Sequence, residues 1–134
     1  MPSPLDRFLT AIGYPEKASE GATSFPLLVD DGEVLVSAEG VRLVLSRVLS
    51  RDPEDFPRLA SFVPGRMLRE EAVLAADPGA DGAAFLWREL PADASAGAMQ
   101  LAFESFCDSC DWWLERVDEF SAPEPEIPPL TIRP

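Results

Sequence analysis

The sequence predicts an α+β domain in which an antiparallel sheet, a three-stranded meander plus two further strands, packs with about three helices. The expected order is α-β-β-β-α-β-β-α. Three observations carry this expectation. Met99, Phe103, Phe106, Cys110, Trp113, Val117 and Phe120 fall on one helical stripe, while Glu104, Asp108, Asp111, Glu115, Asp118 and Glu119 lie off it. Residues 25–49 alternate apolar and polar around two turn signals, Asp31-Gly32 and Glu39-Gly40. Two later runs, 72–76 and 83–89, have strand character and flank a Pro- and Gly-containing link.

The first helix opens at Ser3-Pro4-Leu5-Asp6, with Ser3 as cap and Pro4 in the first turn. Leu5, Phe8, Leu9 and Ile12 form its apolar stripe, and Gly13 followed by Tyr14-Pro15 ends it. In the meander, a two-residue loop at Asp31-Gly32 sets Val29 opposite Val34, Leu27 opposite Val36 and Phe25 opposite Ala38. A second loop at Glu39-Gly40 sets Ala38 against Val41, Val36 against Leu43 and Val34 against Leu45. One face is then continuously apolar. The other face should be polar, yet it carries Leu28, Leu35 and Val44 as a lateral row. Such a row either meets a partner or packs beneath a loop or the C-terminal segment.

Asp52-Pro53-Glu54-Asp55 starts another helix, with carboxylates at the favourable end of its dipole. Pro57 and Pro64-Gly65 interrupt its pattern, so a short piece followed by a second helix from about Pro64 to Glu71 is expected. In the last strand Phe85 and Trp87 share one face, and Ala84, Leu86 and Arg88 the other. The domain is expected to span 1–120, followed by a proline-rich, extended and mobile tail over 121–134.

A formal charge of −13 repels phosphate backbones and anionic lipids, which argues against nucleic acid and membrane surfaces as partners. No run approaches the roughly 18 apolar residues of a membrane span. The start Met1-Pro2-Ser3-Pro4 lacks a secretion-signal layout, so a cytoplasmic location is expected. The chain contains no histidine, which lowers the prospect of acid–base catalysis near neutral pH. No catalytic residue is assigned.

Cys107-Asp108-Ser109-Cys110 has the spacing of redox and zinc sites, but it lies mid-helix and has no further Cys or His to complete a zinc site. Packed free thiols are the simpler expectation, and no metal or cofactor is expected. Asp30-Asp31-Gly32-Glu33 lacks the acidic spacing of a calcium loop and reads as a turn. Pairs such as Glu70-Glu71 arise by chance among 24 acidic residues. Trp112 cannot share the stripe of Trp113 and must lie on a flank, as an edge residue or an interface anchor.

Taken together, the order of elements, the length and the acidity resemble the class I type III secretion chaperones, the Tir-chaperone or CesT/SycE-like family. The resemblance runs over about residues 4–120. It rests on Leu5–Tyr14, the meander Leu27–Leu45, Arg66–Leu74, Ala83–Leu90 with Phe85-Leu86-Trp87, and Phe103, Glu104, Phe106 and Trp113 in the last helix. The break at Pro64-Gly65 departs from the family's continuous central helix.

The resemblance implies a bacterial cytoplasmic homodimer without enzymatic activity, nucleotide or metal. Such a dimer binds the N-terminal segment of a secreted effector, keeps it soluble and delivers it to the secretion apparatus. It implies effector contacts at Leu5, Phe8, Leu9, Phe25, Leu28, Leu35 and Val44. A dimer contact is implied at Leu59, Phe62, Val63, Met67, Leu68, Val73 and Leu74. The alternative expectation is an acidic inhibitor or immunity-type protein that blocks a folded basic enzyme.

Overall fold

The computed structural model describes residues 3–30, 32–66, 71–77 and 82–121. Met67, Leu68, Asp31 and the tail beyond 121 therefore lie outside the described residues, as does most of the 77–82 link. The elements run α1 (Pro4–Ile12), β1 (Ser24–Val29), β2 (Gly32–Glu39), β3 (Arg42–Ser50), α2 (Asp55–Ala60), α3 (Val63–Arg66), β4 (Val73–Asp77), β5 (Ala83–Pro91) and α4 (Ala96–Ser121). The order is the expected one, with the central helical segment split in two. Pro64 and Gly65 sit inside α3, and the remainder of the helix expected to run to about Glu71 lies largely outside the described residues.

Helix α1 forms where its caps dictate. The Ser3 Oγ accepts from the Asp6 N–H at 3.1 Å, and the Asp6 carboxylate accepts from the Ala18 N–H at 3.2 Å. Gly13 takes the left-handed conformation, φ 75°, and its N–H and that of Tyr14 close onto Thr10 and Leu9 carbonyls. Arg7 then donates to the Ala92 and Ala94 carbonyls at 2.7 and 2.8 Å, tying α1 to the segment that leads into α4.

The strands form one antiparallel sheet in the order β1-β2-β3-β5-β4. Both hairpin registers differ from the sequence expectation by two residues. Val29 pairs with Gly32, Leu27 with Val34 and Phe25 with Val36, so residues 30 and 31 make the first loop. Asp30 itself adopts positive φ, 53°, which Asp tolerates. Gly32 is spared for another purpose: the Arg47 guanidinium lies where a Cβ at Gly32 would project. In the second hairpin Glu39 pairs with Arg42, and Gly40, φ 63°, occupies the first loop position. A type II′ loop requires glycine there, which moves the loop to Gly40-Val41.

A slip of two residues preserves which face each side chain takes. Leu27, Val34, Val36, Leu43 and Leu45 are accordingly all buried. Strand β5 adds Ala84, Leu86 and Leu90 to the same layer, beneath α4. The α4 stripe is the core's other wall: Met99, Phe106, Cys110, Trp113 and Val117 are buried, with Phe103 and Phe120 partly so. Phe8 of α1 meets Phe103 edge-on at 5.9 Å. Among the described residues no helix is long and apolar enough to cross a membrane.

Candidate functional site

Among the described residues, α1, α2 and α4 pack on one side of the sheet. Helix α4 contacts β3 and β5, while α1 and α2 flank it. Phe62 and Arg66, at the α2–α3 junction and in α3, pack on Trp112 of α4. Among the described residues no element lies across the other face. That face is apolar over much of its area. Leu28 is 73% exposed, Leu35 36% and Val48 43%. Register adds Val44, Phe85 and Trp87, since Val44 pairs with Glu89, Ser46 with Trp87 and Val48 with Phe85. Val73 joins them opposite Trp87.

The expected lateral row of Leu28, Leu35 and Val44 is corrected to a diagonal. Leu28 faces Glu33, Leu35 faces Pro26 and Ser46, and Val44 faces Ser37. Diagonal neighbours remain within reach of one another. At one end of this face lies a cleft of about 760 Å³ whose wall includes Leu35, Val48 and Phe85. Its lining carries Arg51, Glu33 and Asp77, together with Arg47, whose side chain leaves β3 on the covered side beside Leu86.

Other candidate residues are redistributed. Leu5, Phe8 and Leu9 are 0–2% exposed and belong to the core, so they cannot line a groove as expected. A nine-residue helix has one apolar stripe, and α4 consumes it. Phe25 is partly buried against the core and meets Tyr14 edge-on at 5.6 Å, on the helical side of the sheet.

The dimer candidates are likewise divided. Leu59 is buried in the subunit core, and Leu74 pairs with Leu86 on the covered side. Val73 turns to the open face. Phe62 lies 5.7 Å from Trp112 and 6.5 Å from Phe120. Val63 is half-buried beside it. Trp112 does lie on a flank of α4, between the guanidinium groups of Arg66 and Arg116 at 4.0 and 4.7 Å.

Sequence reasoning missed Val48, Phe85 and Trp87 as one surface with Leu28 and Leu35. The Phe85-x-Trp87 alternation was visible, but β5 pairs with β3 only after an intervening excursion through α2, α3 and β4. No turn signal encodes that adjacency.

Of the Cys pair, Cys110 is buried and Cys107 is partly exposed. Burial, reinforced by Asp111, pushes the Cys107 thiol up to about 11, against the opposing pull of Arg47. Cys107 alkylation by iodoacetamide near pH 8 is therefore expected to be roughly twenty-fold or more slower than in the urea-unfolded chain. The rate should still climb about tenfold per pH unit where the unfolded chain has levelled off near its ordinary thiol pKa of about 8.5. Equal rates in the two states would contradict this placement.

No family model and no curated protein matches the sequence. Solved structures do. The HopA1–SchA chaperone–effector complex superposes with TM-score 0.65 at 17% identity, covering 83% of this chain and 90% of that one. The ExsC–ExsE complex gives 0.61 at 24% identity, covering 84% and 89%. The Yersinia pestis type III secretion chaperone SycH, in complex with a stable fragment of YscM2, gives 0.55 at 19% identity, covering 82% and 96%. The chain has the class I type III secretion chaperone fold.

Proposed function

We propose that the protein is a type III secretion chaperone that captures an extended segment of an effector on the open face of its sheet. The observation that carries this reading is the apolar face itself, borne by a fold that recurs in chaperone–effector complexes. A soluble chain does not ordinarily leave a contiguous apolar surface uncovered without a partner for it. The role is binding rather than catalysis. The captured segment is the effector's N-terminal region, held soluble and secretion-competent in the bacterial cytoplasm and passed to the secretion apparatus.

Two copies of the chain form the working unit. Residues 1–120 act as the chaperone domain. Strand β4 is an edge of the sheet, and Phe62, Val63 and Val73 near that edge are the dimer contacts, continued by Met67 and Leu68. Duplication matters energetically, because a single patch of three side chains offers about 5–9 kcal/mol before ordering costs are subtracted. Repetition across a two-fold axis raises the effective affinity without new chemistry.

Light scattering of the free protein should give about twice its 14.6 kDa. Co-purification with an effector expressed beside it, followed by hydrogen exchange, should show one contiguous protected segment that lacks independent tertiary structure. A monomer, or a client held only as a folded domain, would refute the proposal.

A further inference from the structure

We infer that the segment captured on the open face crosses the strands rather than joining them at an edge, and that it carries an arginine or lysine whose head meets Glu33. This rests on the proposed function and adds to it the chemistry of the client.

The free edge at β1 is poorly equipped to take another strand. The Ala38 N–H donates to the Thr23 carbonyl at 2.7 Å, and the next residues pair Ser24 with Ser37. Backbone polar groups turn to opposite sides at successive residues of a strand. Phe25, Leu27 and Val29 therefore bond to β2, while Ser24, Pro26 and Leu28 turn theirs to the free edge. Pro26, at the middle of that edge, has no N–H to give. A proline so placed discourages edge pairing, because an added strand loses a bond at its centre. The opposite edge, β4, is the side assigned above to the second copy.

Charge on the open face points the same way. Pro26 pairs with Leu35, Leu35 with Ser46, Ser46 with Trp87 and Trp87 with Val73. This lateral row spans all five strands and carries no charge. Paths along the strands do meet charge on this face: Glu33 and Glu39 on β2, Arg42 on β3, Glu89 on β5 and Asp77 on β4. With strands about 4.8 Å apart the row is about 20 Å long, the length of roughly six extended residues. Alternate side chains of such a segment face the sheet, so roughly three apolar ones seat along the row.

Glu33 sets the sign of the partner. It pairs with Leu28 across β1 and β2 and stands two residues from Leu35 on the same face. Glu39 and Glu89 share the Arg42 guanidinium, whereas Glu33 is exposed and has no ion-pair partner among the described residues. A basic side chain can lay its methylene stem on Leu28, which is 73% exposed, and on Leu35 while its head reaches Glu33. A client carboxylate at that place would meet like charge on a chain of net charge −13.

The test is an NMR titration of the full chain at low salt with end-capped synthetic peptides. The first is Arg-Leu-Ser-Val-Ser-Leu-Ser, the second has Glu in place of its Arg, and the third is the Arg peptide with alternate backbone nitrogens methylated. The Arg peptide should shift the Leu28 and Leu35 methyl and Trp87 indole resonances and bind about fivefold tighter than the Glu peptide. Glu33→Gln should bring that ratio below about twofold. Asp118→Asn, an equal change of net charge on the exposed side of α4, should leave it near fivefold. The methylated peptide should bind within about twofold of its parent, since no strand is added. Equal binding of the Arg and Glu peptides, a preference that survives Glu33→Gln, or loss of binding on methylation would overturn the inference while leaving the proposed function standing. If no peptide moves these resonances but a co-expressed effector does, the inference falls alone; if the effector leaves them unmoved as well, the proposed function falls with it.

Discussion

Replacing Phe106 with alanine is expected to remove about 3–5 kcal/mol of stability, a large share of the about 5–15 kcal/mol total of a typical domain. The side chain is fully buried at the middle of the α4 stripe, with Met99, Cys110 and Trp113 buried along the same helix face. Its removal leaves a void between the helix and the β-strand layer, and the rigid alternation of that layer gives little room for collapse. Urea titration read by far-UV circular dichroism measures the effect. The companion change Glu104→Ala, on the exposed face of the same helix, should stay within about 0.5 kcal/mol. A loss below about 1 kcal/mol for Phe106→Ala would mean that α4 is not the principal wall of the core.

The second large effect concerns capture rather than folding. Leu28→Asp/Leu35→Asp should weaken effector binding about a hundredfold or more while leaving the unfolding midpoint nearly unchanged. Each leucine contributes about 1.5–3 kcal/mol when fully covered, and about 1.4 kcal/mol corresponds to a factor of ten in affinity. Leu28 is 73% exposed and Leu35 is already partly shielded, so the lower half of that range applies. A carboxylate there must also be desolvated or left unpaired against a bound apolar segment. Val41→Asp is the control: Val41 is exposed at the tip of the β2–β3 loop, away from the cleft. Undiminished capture by the double variant, measured by calorimetry with a purified effector segment, would exclude the open face as the binding surface.

Much of the fold was legible because its periodicities are simple. The 99–120 stripe needed only helical geometry, and the structure buries Met99, Phe106, Cys110, Trp113 and Val117 along it. The two faces of the meander were also readable, although both hairpin registers were displaced by two residues. Side-chain direction in a strand repeats every second residue, so that error left the facing pattern intact. It did change lateral neighbours, which is why Leu28, Leu35 and Val44 run diagonally.

Turn chemistry was decided by details the dipeptides do not show. Asp30 accepts the left-handed conformation, and Gly32 is used to make room for the Arg47 guanidinium. The candidate surface was less legible than the fold. Amphipathicity marks an apolar stripe without saying whether the stripe meets the protein's own interior, and for Leu5, Phe8 and Leu9 it does. Conversely, Phe85 and Trp87 joined the open face only through the β3–β5 pairing, a tertiary fact.

That pairing also governs the timing of folding. The contacts of β1, β2 and β3 are local hairpins, whereas β3 must wait for β5 to arrive, with Arg42 reaching Pro91 and Leu45 reaching Arg88. Closing so long a loop costs chain entropy before any ladder bond compensates it, and topologies of this kind fold more slowly than helical bundles. During synthesis from the N-terminus, the meander emerges with its covered side still lacking α4, the main wall of that layer, which is made last. The nascent chain is thus most vulnerable to aggregation in the interval before α4 leaves the ribosome, and its surplus of carboxylates provides the repulsion that guards it then.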